Sequence, residues 1–462
     1  MAAFGKKKKA SEFPDVIPVS EAIRKGDIFT KLTCLIMGAG NLARKQIIQG
    51  LLFLAGELAY ILYMVFFGAK ALQNFVTLGT ETQKKVFNEA TQVYEYATGD
   101  NSQLCLLYGV ITIFVTIGFI LLWRGAIRSS YIAQKAQEAG KKPITFGQIL
   151  KDLKDNRMYQ LFLFFPFLGI ILFTVMPLVF MILMAFTNYD RDHLPPGQLF
   201  DWIGFQNFAR VLNAGGALGE TFWKVLGWTI IWAIFATFLN YIFGIILAII
   251  INREGTKFKA FWRFIFVLTI AVPQFVSLLV VNTMIQEHGV INLLLKELFG
   301  VGPLPFLTNA TWARVTVIVI NLWVGIPYTL LAVTGILKNI PAELYEAAKV
   351  DGANAFVTFF KITMPYMMFV MTPNLITTFT GNINNFNVIY LLTNGAPACD
   401  TYYRGTAGKT DLLVTWLYKL TIDNQYFDVG AVIGIMTFVT LSVVSLLTFH
   451  YSGSNRNEEG FR

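Results

Sequence analysis

Residues 346–365 read Glu-Ala-Ala-Lys-Val-Asp-Gly-Ala-Asn-Ala-Phe-Val-Thr-Phe-Phe-Lys-Ile-Thr-Met-Pro. This stretch separates two long apolar runs, at 314–336 and 366–391. An apolar run of about 20 residues is long enough to cross the hydrocarbon core of a bilayer as a helix. The stretch is therefore predicted to be a short loop between two transmembrane helices, and the rest of the chain tests that prediction.

The composition of the whole chain is that of a membrane protein. Its 462 residues are 55% hydrophobic and 14% charged, with a mean hydropathy of +0.56, whereas soluble domains carry about a quarter charged residues. We predict an all-α, polytopic membrane protein with about eight transmembrane helices, near 47–68, 104–123, 160–186, 228–251, 262–285, 314–336, 366–391 and 429–450. Neighbouring membrane helices can satisfy the carbonyl groups that prolines leave free, as is needed at Pro166, Pro177, Pro273, Pro327 and Pro373.

The distribution of Lys and Arg predicts the orientation. A net charge of +9 could suggest a nucleic-acid partner, but the 37 Lys and Arg residues concentrate in the segments on the same side as the N-terminus. The 28 acidic residues divide almost evenly between the two sides. This is the positive-inside pattern, so we expect a cytoplasmic N-terminus and no nucleic-acid partner. The same pattern places residues 337–365 in the cytoplasm without reference to their sequence.

The composition also divides the chain into segments. We predict a cytosolic N-terminal tail (1–45), an accessory transmembrane hairpin (46–123), a cytosolic linker (124–159), a six-helix transport core (160–451) and a cytosolic C-terminal tail (452–462). The tail opens with the lysine run 6–9 and contains no apolar core followed by a small-residue cleavage site, so we expect no cleaved signal peptide. It is also expected to contact membrane lipid. The three cysteines show no paired spacing, so neither a disulfide framework nor a metal site is predicted.

The loop at 337–365 has the residues of a docking surface. Glu346 offers a charge to a basic group of a partner, and the small side chains of Ala347 and Ala348 let another backbone approach a helix closely. Gly352 can end that helix in a left-handed conformation, and Pro365 is expected to begin the next span. The alternative is an ordinary amphipathic loop between two helices.

No ATP-binding site is evident in the sequence. Gly408-Lys409-Thr410 is similar to the end of a phosphate-binding loop, but that pattern requires a glycine five residues before Gly408, where Tyr403 stands. The segment is also predicted to lie outside the cell. If the protein uses ATP, a separate polypeptide must hydrolyse it.

Two consecutive spans carry uncharged polar residues near the middle of the membrane, where such groups are costly. Residues spaced by three or four lie on one face of a helix. One explanation is hydrogen bonding between helices, and the other is a pocket for a neutral, hydroxyl-rich substrate. The two faces consist of Asn321, Gly325 and Tyr328 in the sixth span and Thr378, Asn382 and Asn385 in the seventh.

Glu57 is the carboxylate that falls inside a predicted span. A proton-coupled transporter would need such a group. Because its span belongs to the accessory hairpin and no basic partner is near it in the sequence, we expect a structural role instead.

The spacing Glu346-Ala347-Ala348, Gly352, Ile362-x-Met364-Pro365 resembles the cytoplasmic coupling loop of ATP-binding-cassette (ABC) importer permeases. Over residues 160–450 the chain is similar to the large permease subunits of maltose/maltodextrin ABC importers. The segments that carry this resemblance are Ala271-Val272-Pro273-x-Phe275, Ile340-Pro341-x-x-Leu344-Tyr345-Glu346-Ala347, Asn384-Asn385-Phe386, Leu391-Leu392-Thr393-Asn394-Gly395 and 406–414.

The resemblance implies a type I ABC importer transmembrane domain in a bacterial cell membrane. It implies four kinds of partner: a second homologous permease, two copies of a cytosolic ABC ATPase, an extracytoplasmic sugar-binding protein and membrane lipid. ATP and Mg would be bound by the ATPase, so this chain would hold no cofactor and would not itself be an enzyme. The coupling positions would be Glu346, Ala347, Ala348, Gly352 and Pro365.

The resemblance also implies where a sugar is held. Ile270 and Gly381 stand where the family has aromatic residues that stack on the sugar, which leaves the exact glycan open. The implied positions are Asn321, Val324, Gly325, Tyr328, Thr378, Asn382 and Asn385, of which Val324 and Thr378 have altered side chains.

Two alternatives to a maltodextrin importer remain at this point. One keeps the ABC permease and changes the cargo to another neutral oligosaccharide or a polyol. The other is an ion-coupled secondary sugar transporter, which would depend on Glu57 and would need no ATPase.

Overall fold

The structure is a computed structural model that describes residues 17–89, 92–96, 98–253 and 255–451, without the side chains of 448–451. The lysine run at 6–9 and the predicted tail 452–462 lie outside the described residues. The chain divides into two compact units: one runs to residue 183 and includes 192–202, and the other comprises 184–191 and the residues from 203 onward. The predicted domain boundaries stay a prediction.

The first unit is helical apart from one short hairpin. An antiparallel pair of strands, β1 (Lys85–Asn88) and β2 (Val93–Tyr96), was not predicted. A π-helical turn at Met64–Gly68 joins the fourth and fifth helices, and another at Ile171–Val175 joins the eighth and ninth. The helices are α1 (Val19–Lys25), α2 (Ile28–Leu32), α3 (Ala39–Ala43), α4 (Ile47–Tyr63), α5 (Ala69–Thr77), α6 (Ser102–Glu138), α7 (Phe146–Asp155), α8 (Met158–Ile170) and α9 (Met176–Met184).

The second unit contains the remaining helices. π-Helical turns at Phe359–Thr363 and Lys419–Asp423 and a 3-10 turn at Tyr403–Gly405 interrupt or join them. The helices are α10 (Gln206–Leu212), α11 (Ala217–Asn252), α12 (Lys259–Ala271), α13 (Gln274–Met284), α14 (Val290–Phe299), α15 (Ala310–Asn339), α16 (Ala342–Val350), α17 (Ala355–Thr358), α18 (Met364–Ile383), α19 (Phe386–Leu392), α20 (Leu413–Tyr418) and α21 (Phe427–Tyr451).

The predicted all-α membrane fold with about eight spans is confirmed. Seven helical segments within the described residues are long and apolar enough to cross a membrane, and a bent helix pair makes an eighth. The pair is Lys259–Ala271 and Gln274–Met284, and the seven segments are Ile47–Thr77, Ser102–Glu138, Met158–Met184, Ala217–Asn252, Ala310–Asn339, Ala355–Leu392 and Phe427–Leu447.

Two π-helical turns accommodate prolines. Pro177 follows the turn at Ile171–Val175 by two residues, and Pro365 follows the turn at Phe359–Thr363 by the same distance. A proline ring clashes with the carbonyl four residues before it, and that carbonyl lies inside the widened turn in both cases. The helical backbone is continuous from Ala355. Pro365 therefore does not begin its span, although the sequence suggested that it would.

The segment just before the first span is folded. The Arg44 side chain is 3% exposed and donates to Asp27 Oδ2 at 2.6 Å, and it also donates to the Ser130 hydroxyl of α6. Burial alone would raise the pKa of Asp27, but the hydrogen bonds from Arg44 and Thr30 outweigh it and lower that pKa. Helices α1–α3 are thereby held against α6, which the prediction of a simple tail did not include.

Glu57 of α4 forms a hydrogen bond with the same folded segment before the first span. Its Oε2 accepts a hydrogen bond from the Met37 backbone N–H at 2.7 Å. The carboxylate thus satisfies a donor in the connection between α2 and α3, as a buried backbone N–H requires. This contact supports the structural role expected for Glu57.

Candidate functional site

The bend between α12 and α13 interrupts the helix inside one span. Helices α12 and α13 meet at an angle of 89°, at Val272 and Pro273. Val272 is extended (φ −83°, ψ 126°), as the residue before a proline tends to be. Pro273 caps α13 with no side-chain hydrogen bond, so the first N–H groups of α13 are available to a ligand or water.

A small cavity lies between this break and α15. Tyr328 is 57% exposed, and its hydroxyl makes no hydrogen bond to any described residue. The cavity brings together hydroxyl, amide and aromatic groups without a charge, which suits a neutral polyhydroxylated ligand. Its lining residues are Thr269, Val272, Gln274, Ser277, Trp323, Val324 and Tyr328.

Gly325 faces α11 instead of this cavity, and Asn321, one turn before it, is not among the residues that line the cavity. A Cβ added to Gly325 would lie 2.4 Å from Asn240 Nδ2, so glycine allows α11 and α15 to touch at this level. The Asn240 amide donates to the Ala236 carbonyl at 2.6 Å, but among the described residues its Oδ1 has no partner, and neither has Asn321 Nδ2. Both asparagines are 5% exposed. An orphaned donor and an orphaned acceptor at mid-span are unusual in a native interior.

The predicted residues of the seventh span hold helices together in this conformation. Asn382 Nδ2 donates to Thr237 Oγ1 of α11 at 2.9 Å, and Asn385 Nδ2 lies 3.4 Å from Asn382 Oδ1. Asn385 also caps α19 by accepting from Val388 N–H. The Thr378 hydroxyl donates to the Asn374 carbonyl within its own helix. The structure therefore favours interhelical bonding for Asn382, whose second amide N–H makes no hydrogen bond to a described residue.

The predicted docking loop forms a helix, a turn and a second helical start. Gly352 follows α16 with φ +74°, and a Cβ added to it would meet no atom within 4 Å, so its backbone angle, and not crowding, requires glycine. Asn354 caps α17 by accepting from Val357 N–H at 2.8 Å. The hydroxyls of Tyr345 and Thr363 lie 3.1 Å apart and join α16 to the π-helical turn.

The loop leaves apolar side chains uncovered. Glu346 and Ala347 are exposed on α16, whereas Ala348 is buried. Large apolar residues are exposed around them, at fractions of 43% for Leu344, 87% for Val350, 71% for Phe356 and 51% for Phe360. An exposed apolar patch of this kind marks a surface that contacts another protein or the membrane.

Comparison with known proteins identifies the class of transporter. A profile of the family described as "binding-protein-dependent transport system inner membrane component" matches residues 240–454. The galactooligosaccharides transport system permease protein of Bacillus subtilis (strain 168) is 35% identical over 441 residues, which cover 92% of this chain and 98% of that protein. This chain belongs to that permease family.

One further relative and one solved structure extend the comparison. The maltodextrin transport system permease protein of the same organism is 34% identical to this permease, covering 93% of one and 96% of the other. A solved bacterial ABC transporter described as importing the acidic polysaccharide alginate has a chain with a TM-score of 0.55 and 23% identity. The superposition covers 67% of this permease and 99% of that chain. At that sequence identity the likeness concerns the fold alone. The predicted fold class and the role of membrane permease are confirmed.

The structure adds residues that sequence reasoning missed. The broken span contributes Thr269, Gln274 and Ser277 to the cavity, and α15 contributes Trp323. Pro273 was the available signal, but a proline in a membrane helix does not by itself indicate an 89° bend. Asn240 was missed because it is an isolated amide in a long apolar helix. Among the described residues, no three His, Cys, Asp or Glu side chains are grouped to hold a metal ion.

Gly408-Lys409-Thr410 has a structural role in the permease. Gly408 N–H donates to Asp411 Oδ2 at 2.7 Å, and Lys419 Nζ reaches the same oxygen at 2.8 Å. The Thr415 hydroxyl donates to the other carboxylate oxygen. Burial raises the pKa of the Asp411 carboxyl, and the charge of Lys419 opposes this only in part. The segment is thus folded around a buried carboxylate.

Proposed function

We propose that the permease imports neutral oligosaccharides of the maltodextrin type, driven by ATP that a partner hydrolyses. The observation that carries this proposal is the uncharged lining of the cavity at the broken span, which measures about 20 Å³ in this conformation, with the exposed Tyr328 hydroxyl on one wall and Gln274 on the other. Neutral hydroxyl and amide groups match the hydroxyl groups of a sugar. They offer no charge to an ion or to an acidic polysaccharide.

Trp323 gives the cavity an aromatic face. Its side chain is 46% exposed and lies beside Tyr328 in the lining. Aromatic faces are large apolar surfaces with a polar edge, suited to the apolar face of a sugar ring. Trp323 would thereby supply the stacking that Ile270 and Gly381 cannot provide. The orphaned amide atoms of Asn240 and Asn321 would bind sugar hydroxyls or water as the helices move.

The loop at 337–365 is proposed to dock on a cytosolic ABC ATPase, present in two copies. The exposed apolar residues around Glu346 support this, because they need a partner to cover them. ATP binding would close the ATPase dimer, and α16 would transmit that movement to the spans. The cavity would then open alternately to the two sides of the membrane. ATP and Mg would be held by the ATPase alone.

The remaining partners follow from the family. A second homologous permease would complete the translocation path, and an extracytoplasmic sugar-binding protein would deliver the cargo. The bacterial relatives support a bacterial cell membrane, and the charge distribution supports an N-terminus in the cytoplasm. In that orientation the docking loop faces the compartment that contains ATP.

A second candidate cargo is a galactooligosaccharide. The Bacillus subtilis permeases named for galactooligosaccharides and for maltodextrin are 35% and 34% identical to this chain, so overall similarity does not separate them. Both cargoes are neutral and hydroxyl-rich, and the cavity lining suits either.

The test is ATP hydrolysis by the reconstituted complex, stimulated by binding protein loaded with a panel of sugars. We expect maltodextrins to stimulate hydrolysis and galactooligosaccharides to have little effect. Tyr328→Phe should raise the sugar KM of uptake about tenfold, the size of one lost hydrogen bond, without changing assembly. Stimulation by galactooligosaccharides alone would move the cargo to the second candidate. A loss of assembly in Tyr328→Phe would assign that residue to packing.

A further inference from the structure

The linker after α6 returns to the start of the first span. Gln46 Nε2 donates to the Ile144 carbonyl at 2.6 Å. Gln46 Oε1 accepts from Asn41 Nδ2 at 2.7 Å, and Asn41 is fully buried. One side chain thus ties the linker to the folded segment before α4. Beside these contacts, between the linker and the start of α4, lies a cavity of about 620 Å³.

The polar wall of this cavity carries unbalanced positive charge. Lys45 and Lys142 are exposed at the cavity, and neither makes an ion pair with a described residue. The third cation, Arg44, is already paired with Asp27. None of the described residues that line the cavity is acidic. The cavity therefore attracts an anion.

The opposite wall is apolar and continues into the membrane. Ile47 and Ile48 line the cavity and are 60% and 57% exposed. Leu51 and Leu52, one turn further along the same span, are also more than half exposed. Gln46 makes no side-chain cap to α4, so the first N–H groups of that helix add to the attraction for negative charge. A ligand that fits both walls has an anionic head and an apolar tail.

We propose that this cavity binds the headgroup of an anionic phospholipid, with its acyl chains along the exposed face of α4. Helix α7 places the cavity at the membrane surface, because it is a short amphipathic helix with no buried residue. Helices of that kind lie in the headgroup region. The assignment of the site to the cytoplasmic leaflet rests on the proposed orientation. The site itself is independent of the cargo, so its failure would leave the transport proposal untouched.

The test is lipid binding to the purified full chain, measured by native mass spectrometry with dioleoyl phosphatidylglycerol and dioleoyl phosphatidylcholine. We expect the wild-type chain to retain phosphatidylglycerol more tightly than phosphatidylcholine. The double variant K45Q/K142Q should bind phosphatidylglycerol about thirtyfold more weakly, the effect of two interfacial lysines. The charge-preserving variant K45R/K142R should bind it nearly as well as wild type.

A matched control separates a site from general attraction. K151Q/K154Q removes the same charge from exposed lysines of α7 and should weaken binding less than about threefold, because those lysines do not line the cavity. Equal loss in both glutamine variants would overturn the proposal in favour of diffuse attraction. Equal affinity for the two lipids would exclude a headgroup site. Displacement of phosphatidylglycerol by millimolar inorganic phosphate would reassign the cavity to a free anion.

Discussion

Asn382 is the residue at which the two explanations of the mid-membrane polar groups can be separated. Its amide donates to Thr237, so Thr237→Val removes the same interhelical hydrogen bond without touching a sugar. We expect both Thr237→Val and Asn382→Ala to lower stability by about 1 kcal/mol. Only Asn382→Ala should also raise the sugar KM of uptake, about tenfold. Equal KM values in the two variants would leave Asn382 with a purely structural role.

Asp411 is the residue on which the loop before α20 depends. Its carboxylate is fully buried and accepts from Lys419, Gly408 and Thr415. Asp411→Ala would leave the half-buried Lys419 ammonium with only the Asn394 carbonyl and the buried Gly408 N–H without a partner, so we expect a loss of about 3 kcal/mol in unfolding free energy. The measurement is thermal and denaturant unfolding of the purified full chain.

An exposed ion pair provides the control for Asp411. Glu220 pairs with Lys224 at the surface, and Glu220→Ala should change stability by less than about 1 kcal/mol, as exposed pairs do. Comparable losses in the two variants would contradict the account of Asp411 as a buried hub.

At the scale of elements, the turn after α16 is expected to determine coupling. Gly352 has φ +74° and an added Cβ would meet no atom within 4 Å, so Gly352→Val strains the backbone and should shift α16 from its docking position. We predict that sugar-stimulated ATP hydrolysis falls at least about tenfold. We also predict that the complex between the permease and the ATPase is weakened or lost. Co-purification of the ATPase and its stimulated activity measure this.

Gly300 is a matched control for Gly352. It also follows a short helix with a positive φ, +64°, and its added Cβ would meet nothing. Gly300→Val applies the same strain in a loop predicted to lie outside the cell and should leave ATPase coupling unchanged. Coupling that survives Gly352→Val, or is lost equally with Gly300→Val, would remove the docking role from this turn.

The spans could be predicted from the sequence because hydrocarbon thickness imposes long apolar runs that are visible without tertiary information. Helices α1–α3 could not, because they are too short to be stable alone and depend on the contacts of Arg44. The bend at Pro273 was also missed, since most prolines in these spans, such as Pro327, remain inside continuous helices.

The sequence could predict which site residues share a face of a helix, but not which neighbours that face contacts. Periodicity grouped Asn321, Gly325 and Tyr328 on one side of α15, but that side meets two neighbours. Val324 and Tyr328 lie on the edge toward the broken span, whereas Gly325 lies on the edge toward Asn240. Which edge a residue occupies depends on how the helices are rotated, and rotation is set by packing that one sequence does not reveal.

At the scale of the whole molecule, the central claim is that transport is driven by a partner ATPase and not by an ion gradient. Glu57 is the carboxylate that an ion-coupled mechanism would use, and in the structure it accepts a hydrogen bond from Met37. Glu57→Gln keeps an acceptor oxygen while it removes the titratable group. The variant therefore distinguishes the two mechanisms without disturbing the fold.

The deciding measurement is maltodextrin uptake into vesicles that contain the permease, its partner permease, the ATPase and the binding protein. It is made with and without ATP, and with and without an imposed proton gradient. We predict uptake that requires ATP and persists in Glu57→Gln. Uptake without ATP that depends on a proton gradient and is abolished by Glu57→Gln would contradict the account.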